Sequence, residues 1–82
     1  MEKYYITFRS ITYAQKGQRA LAAAEIPCSL LRAPGWMEMR GCGYALTVKK
    51  PEAALEALRK AGAVWQRVYR TEQGKKPEVV QL

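Results

Sequence analysis

Residues 41 to 43 read Gly-Cys-Gly at the mouth of an apolar run, Tyr44-Ala-Leu-Thr-Val48. A cysteine between two glycines leaves room for a second protein's sulfur or a bulky thiol adduct, and its thiolate is the nucleophilic form. Rival centres are scarce, because the chain contains no His, no Asp and no Asn. That removes the usual general base, the Ser-His-Asp and Cys-His constellations and most metal ligands. Hydrolase and zinc chemistry are thereby disfavoured. Spacing alone keeps a second reading open, in which Cys42 is a small buried hydrophobe at a strand start.

What must position Cys42 follows from the apolar pattern, which reads strand, helix, two strands, helix, strand. Tyr4 to Arg9 alternates, with Tyr4, Ile6 and Phe8 on one face, as a half-buried strand does. Thr12 and Gln15 have capping-box spacing, so a helix is predicted from Tyr13, with Ala14, Gly17, Leu21 and Ala24 as its small-residue stripe. Ile26-Pro27 ends it. Cys28 to Arg32 reads as a second strand, 33 to 41 as a loop carrying Trp36, Met37 and Met39, and Gly43 to Lys49 as a third strand. Pro51, Glu52, the apolar Ala54, Leu55, Leu58 and Ala61, and Gly62 mark a second helix with its C-terminal cap. Val64 to Arg70 is the last strand of a single domain over residues 1–70. Residues 71–82 form a polar linker and tail, in which Glu78 to Leu82 is either frayed or an added edge strand.

A βαββαβ order with short connections predicts an α+β, ferredoxin-like sandwich of sheet order 4-1-3-2, two helices on one face. In that topology Cys42 neighbours Arg9, Ser10 and the Thr12 cap. The first helix's N-terminal amides and the guanidinium of Arg9 or Arg40 would lower its pKa. Cys28 falls at the far end of the hairpin, roughly 15 Å away by strand rise. No internal disulfide is expected, and Cys28 reads as core.

Tyr5-Ile6-Thr7-Phe8-Arg9-Ser10, then Glu25-Ile26-Pro27, then Cys42-Gly43-Tyr44-Ala45-Leu46, closing with a helix and Val68-Tyr69, together resemble the selenium/sulfur carrier protein-like family of small bacterial domains, over about residues 4 to 70. The resemblance implies a carrier rather than a turnover enzyme. Its cysteine, here Cys42, would hold zero-valent sulfur or selenium. Arg40 and Gly41 stand where the pattern implies small hydroxyl residues, and Cys28 is additional to it. In the implied mechanism Cys42 attacks a donor's persulfide or accepts reduced selenium, holds a persulfide or selenosulfide, and yields it by thiol exchange. Arg9 and Arg40 would stabilise the anion, Ser10 and Thr12 would orient hydrogen bonds, and Gly41 and Gly43 would give access. No metal or organic cofactor is required. Donor and acceptor enzymes are the implied partners.

Composition bounds the alternatives. Eighty-two residues with 49% apolar content make one small domain that buries about 60% of its unfolded surface. Fourteen Lys and Arg against seven acidic residues give +7, which attracts anionic partners. Arg40-Gly-Cys-Gly-Tyr superficially matches an RNA-recognition signature, but that register would send Ala45 and Thr47 into the core and expose Leu46 and Val48. Nucleic acid is therefore disfavoured. Tyr5, Trp65 and Tyr69 could line an open sheet face, which a homodimer packing sheet to sheet would also use. Lys49-Lys50, Arg59-Lys60 and Lys75-Lys76 read as solvated surface. Arg9, Arg32 and Arg40 fall at the Cys42 end and Arg70 does not. Trp36, Met37 and Met39 either dock a partner or fold back on the core. A regulatory module without transfer chemistry stays open. No segment approaches the ~18 apolar residues of a membrane span, and no secretory leader is read, so a cytoplasmic protein with reduced thiols is expected.

Overall fold

The computed structural model describes residues 2–32, 43–72 and 78–80. The chain is α+β: β1 (Glu2–Phe8), α1 (Ile11–Ala23), β2 (Ser29–Arg32), β3 (Tyr44–Val48), α2 (Pro51–Ala61), β4 (Val68–Glu72) and β5 (Glu78–Val80). The strands form one sheet in the order β2-β3-β1-β4-β5, and every neighbouring pair is antiparallel. Read from its other edge the order is 5-4-1-3-2, so the expected 4-1-3-2 is extended by one strand. The tail adds β5 outside β4, because Val80 has Val68 to pair with and packs on the core. Arg70 and Glu78, directly opposed across that ladder, form an ion pair.

Alternation on β1 is as the residue types dictate. Ile6 and Phe8 are fully buried on the helix-covered face with Leu46, Val48 and Val68, and α1 and α2 close over them with Ala14, Leu21, Ala54, Leu55 and Leu58. Phe8 and α1 meet closely at Gly17. A Cβ there would lie 2.8 Å from Phe8 Cζ and 3.1 Å from Leu58 Cδ2, so glycine is what lets α1 settle onto the sheet and α2 at once. Across the sheet, Ala45 and Tyr69 are buried with Tyr5 and Leu31 half-buried beside them.

Both helices end in the same way. At α2, Gly62 is left-handed (φ 71°), its N–H donating to the Arg59 carbonyl and that of Ala63 to the Leu58 carbonyl, which is a Schellman motif. At α1 the equivalent bonds run from Glu25 to Ala22 and from Ile26 to Leu21, with Glu25 held at φ 59°. The helix has thus stopped before Pro27 is reached, and Ala24, expected in the buried stripe, is its exposed cap.

Strand β4 begins at Val68, four residues later than expected. Val64 is exposed, and the connection is drawn in by Thr7. Gln66 N–H donates to the Thr7 carbonyl at 2.8 Å, and Arg67 N–H to Thr7 Oγ1 at 3.1 Å. One β1 residue therefore faces two of the incoming chain, as at a β-bulge, and its buried hydroxyl satisfies the extra amide.

Candidate functional site

The end of the sheet where β1 gives way to α1 is built from short-range bonds. Phe8 pairs with Tyr44, and Arg32 pairs with Tyr44 from the other side. One residue further on, Gly43 N–H donates to the Phe8 carbonyl at 3.3 Å. The β1–β3 ladder thus continues to the residue bonded to Cys42. A Cβ added at Gly43 would meet none of the described residues within 4 Å.

Two residues beyond Phe8, Ser10 takes an extended conformation and caps α1, its Oγ accepting from Tyr13 N–H at 3.4 Å. Ser10 is therefore the N-cap and Ile11 the first helical residue. Thr12, expected as the cap, is an exposed residue inside the first turn, and Gln15 is exposed on the helix. The capping-box spacing misled because Ser10 already stands at the strand end, where the chain must leave the sheet. That signal was in the sequence, and a cap hydroxyl there satisfies one of four orphan amides.

Electrostatically this end is positive. The first turn of α1 carries no acidic residue, so the partial charge of its amides is unopposed within the turn. Arg9, exposed, joins Ser10 to β1. Arg32 stands at the same end of β2, whereas Arg70 pairs with Tyr4 toward the opposite end. Arg9 and Arg32 thus stand at the end of the sheet where Ser10 caps α1.

Of the predicted site residues, Arg9, Ser10 and Gly43 are brought together, and Thr12 follows within one turn. Cys42, Arg40 and Gly41 lie outside the described residues, as do Trp36, Met37 and Met39. Cys28 is a free, half-buried thiol just before β2. Desolvation by burial pushes its pKa above the ordinary value, which suits a core-packed residue and not a nucleophile. No group of three or more metal-ligating side chains occurs among the described residues. None of the helices among them is long and apolar enough to cross a membrane.

The aromatic platform expected on the face opposite the helices is not present as drawn. Tyr69 is only 5% exposed, and Trp65 packs against the helix-covered core instead. Tyr5 alone of the three is half-exposed on that face, too little for a stacking surface.

Compared with known families, residues 3–70 match the family described as "Putative Se/S carrier protein-like". No curated protein matches the chain.

Proposed function

The chain belongs to the Se/S carrier protein-like family, and on that premise we propose that it carries sulfane sulfur or selenium on Cys42 and delivers it to a partner enzyme. The observation that carries the reading is the bond from Gly43 N–H to the Phe8 carbonyl, because it ties the residue after Cys42 to the strand that leads into Arg9 and the Ser10 cap. A thiolate within reach of that helix start and of Arg9 would be favoured over the thiol. Arg40, two residues before Cys42, would add to the same field.

The step is a transfer without net oxidation. Cys42 thiolate attacks the outer sulfur of a donor persulfide, R–S–SH. The Cys42 S–S bond forms, the donor S–S bond breaks, and the donor leaves as thiolate R–S⁻ while the proton stays on the transferred sulfur. Discharge repeats the step with an acceptor thiolate. For selenium the balanced donor is R–S–SeH, since free selenide would have to lose two electrons to reach the same state. Neither direction requires a general base, which accords with a chain lacking His and Asp. None of the described residues crowds Gly43, which would leave them clear of the sulfur of a second protein. Donor and acceptor enzymes are the partners this chemistry needs, in a compartment where thiols stay reduced.

Cyanide releases sulfane sulfur as thiocyanate. Protein treated with a small persulfide donor and freed of excess should yield one equivalent, and Cys28→Ser should yield the same. Thiocyanate from Cys42→Ser in equal amount would refute the assignment.

A further inference from the structure

At the end of the sheet remote from Phe8 and Gly43, a cleft of about 650 Å³ opens between the chain leaving α1, the start of β2, the end of β3 and the start of α2. Its volume lies within the ~300–1,000 Å³ usual for small-molecule sites. Ile26, Pro27 and the half-buried Cys28 give it an apolar wall, and Lys3, Lys49 and Lys50 also line it. Glu25 lines it too, so among the described lining residues three are cationic and one is anionic.

The lysines are not placed as scattered surface charge. Tyr4 pairs with Val48, so Lys3 and Lys49 each stand one residue beyond a cross-strand pair, and Lys50 follows directly. Like charges so close destabilise a sheet edge unless they are neutralised. Among the described residues none of the three forms an ion pair; the pairs found join Lys60 to Glu56 and Arg70 to Glu78. Lys50, the N-cap of α2, makes no side-chain cap bond, and the turn that follows opens on Pro51 and carries Glu52.

We propose that this cleft binds a small organic phosphate, its phosphate held by Lys3, Lys49 and Lys50 and its apolar or aromatic body laid on Ile26, Pro27 and Cys28. An apolar wall beside a cation cluster asks for both halves in one molecule. The phosphate relieves the lysine repulsion, and the body covers apolar surface that water now wets. The site is independent of sulfur loading at Cys42.

Phenyl phosphate is the probe. Titrated into the ¹⁵N-labelled full chain, it should give saturable amide shifts confined to Lys3, Cys28, Lys49, Lys50 and Ala53. Inorganic phosphate should bind the same residues more weakly. K49Q/K50Q should weaken phenyl phosphate roughly fivefold, as loss of two exposed charge contacts implies, and K3Q alone should act in the same direction should the double variant not fold. In Cys42→Ser protein, saturating phenyl phosphate should slow alkylation of Cys28 by the uncharged reagent iodoacetamide. Shifts spread equally over Lys16 and Lys60, binding untouched by K49Q/K50Q and K3Q, or tighter binding of single-stranded RNA at the same lysines would each overturn the assignment.

Discussion

Gly43 donates its amide proton to the Phe8 carbonyl at 3.3 Å, two residues before the Ser10 cap of α1. That single rung fastens the residue after Cys42 to the strand end that leads into Arg9 and the Ser10 cap. Gly43→Pro deletes the donor at a cost of about 1 kcal/mol while leaving the Tyr44–Val48 ladder with β1 in place. It should fold and load sulfur poorly. Gly43→Ala keeps the N–H and adds a methyl that meets none of the described residues within 4 Å, so it should match wild type in thermal stability and thiocyanate yield. Loss of stability in the alanine variant would show that this glycine is structural.

Gly17→Ala tests the close approach of α1. Helix propensity favours alanine by about 1 kcal/mol, whereas inserting a methyl 2.8 Å from Phe8 Cζ costs about 1–3 kcal/mol by overpacking. Packing should win, and thermal unfolding should occur several degrees lower, at roughly 4–8 °C per kcal/mol for a domain of this size. A rise in midpoint would mean that the helix has freedom to shift outward.

Glu25 holds the left-handed position that Gly62 holds at the other helix end. Left-handed geometry costs a residue with a Cβ roughly 1–2 kcal/mol, part of which glycine returns through its own greater entropy loss. Glu25→Gly should therefore raise stability by about 0.5–1 kcal/mol, read as a higher urea midpoint with an unchanged slope. An unchanged midpoint would imply that the Glu25 side chain contributes as much as its backbone loses.

Cys28 sets the expected behaviour of the protein in alkali. Burial raises its pKa in the folded state above the ordinary 9.0, so above about that pH the unfolded chain releases a proton that the folded chain retains. Stability contributed by the neutral thiol is complete below the unfolded value and falls as pH rises through the folded one. In Cys42→Ser protein, the pH profile of Cys28 alkylation should show its midpoint above 9.0. A midpoint below that value would mark Cys28 as an activated thiol.

How far the residues alone foretold this depended on whether one interaction or several decided an element. Helix α2 was legible from end to end, since Pro51, the Ala54-Leu55-Leu58 stripe and Gly62 all agree. The helix-facing residues of β1 and β3 followed from strict alternation. The start of α1 did not, because Thr12 and Gln15 offered a spacing that Ser10, nearer the strand end, pre-empted. Strand β4 was placed early because Val64 and Trp65 are good strand formers, whereas the bonds of Gln66 and Arg67 to Thr7 are long-range and leave no local mark. Near the start of α1, Arg9, Ser10 and Gly43 were foreseen together from topology, while the cleft beside Cys28 joins three separate stretches of the chain and no local pattern announces it.

Intact mass after exposure to a small persulfide donor measures directly whether Cys42 is the carrier atom. Wild type and Cys28→Ser should each gain one sulfur atom, reversed by a reducing thiol, and Cys42→Ser should gain none. A gain that persists in Cys42→Ser, or that disappears in Cys28→Ser, would contradict the account.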